Sequence, residues 1–347
     1  MLPYIILIMY LILYRFMFFP KKDLNKKHKK MYIIGALIPI FIIAGFRGID
    51  VGTDTPNYIR IFEVAGSVNF LDSYSEYSRL EYGYRYFIYF LASYFSHPQW
   101  QFIFVAFFSC IGIGYFVYQN AREPFLAILF FVTLGFFDFT LSGVRQTIAV
   151  TVTLFLFSFI KNRKLLWFLV GIFIAALFHK SALFFIPAYF IANNPVKKKT
   201  VIVYFLSFFV LFLVADKLLL ATADALDYNY GVESTGNGYI FFSIVLIITV
   251  LAFKFNKSLI RQNRDNRFMI NINFCSFMLW GVRLISRTAE RITLYYMPYT
   301  YVLLEEIIMS RSVSIRRQYY FITVVCCIIL YFYRLHNNTS LNPYQFC

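Results

Sequence analysis

Lys21-Lys22-Asp23-Leu24-Asn25-Lys26-Lys27-His28-Lys29-Lys30 sets six lysines against a single aspartate, between two apolar runs at 2–20 and 31–46. Each run is close to the length that crosses a bilayer, and a basic link between two such runs stays on the cytoplasmic side. The reading that follows is a membrane protein whose N-terminus lies outside and whose 21–30 link lies inside. The first run lacks a positive n-region and a small-residue cleavage site, so it is expected to be a retained span rather than a leader.

Outward from this pair, further apolar runs fall at 102–118, 124–141, 146–160, 165–178, 181–192, 200–216, 238–254, 268–284, 292–309 and 318–334. The expectation is an all-α, polytopic integral membrane protein with about 12 transmembrane helices in a single membrane domain, 1–347. The basic segments 161–164, 195–199, 254–267 and 311–317 fall inside under one consistent alternation, as must Asn120 to Glu123. That alternation leaves the C-terminus outside and makes 46–83 an outer loop. It also gives the aromatic run 84–95 no crossing to make. Too short for a comfortable span, 84–95 reads as a re-entrant or interfacial helix on the outer side, a true span being the alternative.

Composition agrees with this reading. Of 347 residues, 60% are apolar, 22% aromatic and only 14% charged, too few charges to cover a soluble domain of that size. The net charge of +16 does not signal nucleic acid, because the basic residues occupy short links between apolar runs and form no basic domain. Cys110, Cys275, Cys326, Cys327 and Cys347 show neither CxxC nor metal-ligand spacing and read as packing residues. No Walker loop, GxGxxG turn, DxD pair or fixed-period repeat occurs, so neither a cofactor nor a metal is expected.

Cytoplasmic lysines and arginines have a topological job. The arginines on the outer side do not, and they sit among Asp, Glu and His. One group is the polar, glycine-containing turn from Phe46 to Tyr58, with Arg47, Asp50 and Asp54. A second runs from Glu76 to Arg85 and includes Glu81. In a third, Asp138 precedes Ser142-Gly143-Val144-Arg145-Gln146, where Arg145 opens an inward-running helix, a place that favours anions. His179-Lys180-Ser181 forms a corner. Arg283, Arg287 and Arg291 recur every four residues near Glu290 and Tyr295, so one helix would carry all three on one face. Such a stripe calls for an anion, with Glu290, Asp138, a lipid phosphate or a bound diphosphate as the choices. Ordinary roles compete at each place: an exit loop at 46–58, an interfacial tyrosine belt near 82–84, snorkelling at Arg145, a structural histidine at 179.

Taken in order, Phe46-Arg47-Gly48-x-x-Val51-Gly52-Thr53-Asp54-Thr55-x-x-Tyr58, Glu81 before Gly83, Arg145-Gln146, His179-Lys180-Ser181 and Arg291 before Tyr295 resemble the EpsG-like branch of bacterial Wzy-type polysaccharide polymerases. The long outer loops with repeated arginines of better-known Wzy polymerases are not found here. The resemblance implies a glycosyltransferase of the bacterial cytoplasmic membrane that joins undecaprenyl-diphosphate-linked repeat units at the outer face, for O-antigen, capsule or exopolysaccharide. Its implied partners are the lipid-linked glycan, membrane lipid, and a chain-length regulator and flippase of the same pathway. On that basis Arg47, Arg145 and Arg291, then Arg287 and Lys180, are expected to bind the diphosphate. Asp54, Glu81 and His179 compete as the base, with Gln146, Tyr58 and Tyr295 as further substrate contacts. An O-antigen ligase or another lipid-phosphosugar transferase is the nearest alternative. A flippase or transporter is the next, although it calls for charges deep in several spans rather than at one boundary.

Overall fold

Helices account for all the regular structure in the computed structural model, which describes residues 1–18, 26–66, 70–71, 76–226 and 238–347. Residues 21–25 of the lysine link lie outside the described residues. The helices are α1 (Leu2–Phe18), α2 (Lys26–Gly45), α3 (Thr55–Ala65), α4 (Tyr82–Tyr94), α5 (Gln99–Asn120), α6 (Pro124–Thr133), α7 (Phe136–Thr140) and α8 (Val144–Lys161). They continue with α9 (Leu165–Ala176), α10 (Ile186–Ile191), α11 (Lys198–Leu226), α12 (Tyr239–Gln262), α13 (Asn266–Arg283), α14 (Thr288–Thr293), α15 (Met297–Met309) and α16 (Val313–His336). Among the described residues the sole strand-like pairing is an isolated bridge between Arg47 and Phe346.

All-helical architecture agrees with the sequence reading; the expected count of about 12 spans is matched in part. Among the described residues, six helices are long and apolar enough to cross a membrane: α2, α5, α8, the Lys198–Ala215 part of α11, α12 and α16. Several expected spans are interrupted. The run 124–141 divides into α6 and α7 because Gly135 takes a left-handed φ of 92°, a conformation that glycine adopts without steric cost. The run 181–192 opens as a 3₁₀ turn over Lys180–Phe185 before Pro187 enters the first turn of α10. Pro298 starts α15, separating it from α14 inside 292–309. Hydropathy averages over such breaks and does not register them.

The short aromatic segment is indeed a helix, α4, of 13 residues. Preceding it is a helix that hydropathy missed: Pro56 sits in the first turn of α3, which has too few apolar residues to stand out as a run.

The chain divides into two compact units. The first holds Met1–Phe155, Ile174–His179 and Arg317–Cys347. In it α3 and α4 pack together, and Tyr58, Phe62, Tyr84, Ile88, Phe102 and Ile148 share one core cluster. One end of this unit gathers Arg15 against Glu123, with Lys29 Nζ donating to the carbonyls of Tyr118 and Ala121 at 2.7 and 2.5 Å. At its other end the chain termini meet, the Met1 amino group donating to Asn342 Oδ1 at 3.0 Å beside the 46–55 loop. The second unit holds Leu156–Phe173 and Lys180–Arg316. There Lys161 pairs with Asp265 at 2.9 Å and Gln262 donates to the Ser310 carbonyl, which brings three of the basic segments to one end of that unit.

Candidate functional site

Arg145 is the second residue of α8, where backbone N–H groups have no partner one turn back. Two distant stretches converge on its guanidinium. Glu81, the residue before α4, is buried and accepts from Arg145 Nη1 through Oε2. The Tyr58 hydroxyl on α3 lies beside that guanidinium, and the ring centroid of Tyr84 on α4 lies 6.0 Å from its guanidinium carbon. Burial pushes the Tyr58 hydroxyl above its ordinary range, and the adjacent guanidinium offsets part of that rise. Arg145 keeps its side chain 23% exposed while its Nε is buried and unpartnered. The cation therefore has a donor held in place by protein and another side open to the surroundings.

Gln101, fully buried near the start of α5, ties the two tyrosines together. It accepts from Tyr84 Oη at 3.3 Å and donates to the Tyr58 carbonyl at 3.1 Å. Sequence reasoning passed over it, although two glutamines flanking Trp100 at the mouth of an apolar helix were a readable signal. The other of the pair, Gln99, closes the end of α2 by donating from Nε2 to the carbonyls of Gly45 and Arg47 at 2.6 and 3.1 Å.

The glycine-containing turn is clamped from two sides. On one, Gly48 N donates to Gln345 O at 2.8 Å and Gly52 N to Ser340 O at 2.7 Å. On the other, Thr53 N donates to Ser142 Oγ at 3.2 Å, just before α8. Gly52 has φ of 97°, and a Cβ there would stand 1.9 Å from the Leu141 carbonyl oxygen. Both constraints demand glycine. The turn is thus seated on the segment that presents Arg145, a contact between residues about ninety positions apart.

Arg47, one of the residues expected to bind the diphosphate, is turned inward. It is 2% exposed, stacks on Phe102 with its guanidinium carbon 4.1 Å from the ring centroid, and donates from Nη1 to the Ala44 carbonyl at 2.6 Å. Burial lowers its pKa to about 10, which leaves it charged at neutral pH. Asp54 is the N-cap residue of α3 and makes no side-chain cap bond there. Asp138, one of the choices of partner for the arginines of 283–291, is engaged by Arg334 on α16, its Oδ2 accepting from Nη2 at 2.7 Å.

His179 is buried at the corner after α9. The same corner is fixed to α4, for Gly83 N donates to Leu177 O at 2.8 Å and Phe178 packs against Phe87. Gln146 is buried beside Arg145. Glu81, Tyr58, Arg145, Gln146, Asp54 and His179 thus all belong to the first unit, and the first two both contact Arg145.

The remaining expected residues belong to the second unit. Ser181 and Tyr295 share a hydrogen bond of 3.0 Å; Lys180 directly precedes Ser181, and Arg291 lies within α14. Arg283, Arg287 and Arg291 do not form one helical stripe. Helix α13 ends at Arg283, the chain turns through Leu284 to Arg287, and α14 starts at Thr288. Spacing of four implies one face only where the helix is continuous. Arg283 is buried and bonded to Glu290 at 2.7 Å, whereas Arg287 is exposed.

Among the described residues, six helices of spanning length and a charged cluster at the mouth of one of them define a multi-pass membrane protein. The chain belongs to the EpsG family, whose sequence model matches residues 30–346, nearly its whole length. No protein of curated function and no solved structure matches it.

Proposed function

We propose that this protein is a glycosyltransferase that polymerises undecaprenyl-diphosphate-linked oligosaccharide repeat units at the outer face of the bacterial cytoplasmic membrane. Family membership supports the polymerase class. The observation that carries the site is the convergence of Glu81 and Tyr58 on Arg145, at the open end of a helix of spanning length.

In the reaction an acceptor hydroxyl attacks the anomeric carbon of the donor sugar. A new C–O bond forms, the bond to the diphosphate breaks, and the lipid diphosphate leaves with the electron pair. The hydroxyl proton passes to a base. Arg145 is the cation for the departing diphosphate: its fork of donors suits phosphate oxygens, and the N-terminus of α8 adds to the attraction. Arriving diphosphate competes with Glu81 for that guanidinium. Glu81, released from the ion pair, is then free to accept the hydroxyl proton. Asp54 and His179 are the other candidate bases. Arg287, Arg291 and Lys180 are assigned to the donor diphosphate or its neighbour, and Gln146 and Tyr295 to sugar contacts. Arg47 holds the turn that seats the site.

Deleting the gene in its own host, then separating surface glycan on gels and analysing lipid-linked intermediates, tests the reading. Loss of the polymer ladder with one repeat unit still exported and attached is expected. Lipid-linked polymer that is never transferred would mark a ligase, and repeat units trapped on the cytoplasmic side would mark a flippase.

A further inference from the structure

Helices α2 and α5 run antiparallel, and on their outward side they leave an open apolar trough of about 640 Å³. Its floor exists because Gly114 carries no side chain: a Cβ there would come within 2.9 Å of Leu37. Its walls are Ile34 and Ile38 from α2 and Phe107, Ile111 and Tyr115 from α5, all of them exposed. Polar groups are confined to one end, where Lys30, Tyr118 and Gln119 line the mouth. From Lys30 to Phe41 the trough extends ~16 Å along α2, about half of a hydrocarbon core of about 30 Å. Its length is therefore that of one leaflet, with the cation at headgroup depth.

The lysines at this end are not equivalent. Lys29 is bound to the last carbonyls of α5. Lys30 is exposed, and among the described residues it has neither a hydrogen bond nor an ion pair. Lys26 and Lys27 beside it are exposed too, while the nearby Glu123 is engaged by Arg15. A positive mouth above a leaflet-length apolar trough suits a phospholipid with a net negative headgroup. Tyr115 and Tyr118 near the mouth suit the interfacial depth of such a headgroup.

We infer that the α2–α5 trough is a binding site for an anionic phospholipid, with its acyl chain along Ile34, Ile38 and Ile111 and its phosphate at Lys30. The site lies at the opposite end of α2 from the Arg145 cluster and does not depend on the reaction assigned to that cluster.

Native mass spectrometry of the full chain, equilibrated in detergent with equal amounts of phosphatidylglycerol and phosphatidylcholine of matched acyl chains, tests the site. Wild type is expected to retain phosphatidylglycerol in preference. Lys30→Gln should reduce that preference about fivefold, and Lys27→Gln should change it less. Ile38→Trp, which fills the trough, should release the bound lipid of either kind; Ile111→Trp does the same from the other wall if the first variant melts early. Unchanged preference in Lys30→Gln, or full lipid retention with the trough filled, overturns the inference. So does a shift from dimer to monomer on filling the trough, because a second copy of the chain would then be its occupant.

Discussion

Arg145 and Glu81 form an ion pair across 64 residues of sequence, joining the first turn of α8 to the residue just before α4. Glu81 is buried and Arg145 only partly so. Breaking such a pair from one side leaves a charge with poor solvation, and costs more than the pair itself contributes. Arg145→Ala is expected to abolish polymer formation while leaving membrane insertion intact, measured by complementation of the deletion strain. Normal polymer from that variant would remove Arg145 from the site.

Structural and chemical roles of the pair can be separated. The double variant Glu81→Gln, Arg145→Met replaces both charges, so melting in detergent should return toward wild type relative to either single variant. Stability within about 1 kcal/mol of wild type is the expected figure, since a buried pair exchanged for neutral groups is often near neutral. Polymer should stay absent. Recovery of polymer in the double variant would make the pair purely structural.

Gly52→Ala places a Cβ against the Leu141 carbonyl at a φ of 97°. An L-residue forced there costs about 1–3 kcal/mol, and the turn must also leave its seat beside Ser142. Lower thermal stability and weakened polymerisation are expected together. Gly48→Ala, at negative φ, is the milder comparison.

Gln101→Leu removes both the acceptor for Tyr84 and the donor for the Tyr58 carbonyl inside a buried cluster. A cost of about 1–3 kcal/mol is expected for the polar groups left behind. Because Tyr58 contacts Arg145, the rate of polymerisation should fall more than protein abundance does. A proportional fall in both would limit Gln101 to stability.

Arg334→Met leaves the Asp138 carboxylate buried without its cation, and also withdraws a donor from the Thr133 carbonyl at the Gly135 break. Destabilisation by about 2–4 kcal/mol is expected, with Asp138→Asn in the same background restoring part of it. Equal melting of single and double variants would show that the two residues are not coupled.

Much of this was legible in the residues themselves. Ten or more apolar runs and a lysine-rich link dictated helices and a membrane, because the bilayer admits few other solutions for a backbone that must satisfy its own hydrogen bonds. The order of short motifs from Phe46 to Tyr295 carried the family. Glu81, Tyr58 and Arg145 were each readable as candidates from charge or aromaticity placed where topology gave them no purpose.

Tertiary structure alone decided which of those candidates touch. Local pattern could not reveal that Glu81 faces Arg145, that Asp138 is spent on Arg334, or that Arg47 folds inward onto Phe102, because each contact is fixed by packing between segments remote in the chain. Nor could periodicity show that Gly135 halves one expected span and that the turn after Arg283 breaks the arginine stripe. Hydropathy and spacing assume a continuous helix, whereas a single left-handed residue or a short turn redirects every side chain beyond it. Composition determined the solvent this protein lives in; only three-dimensional packing determined which charges remain available for chemistry.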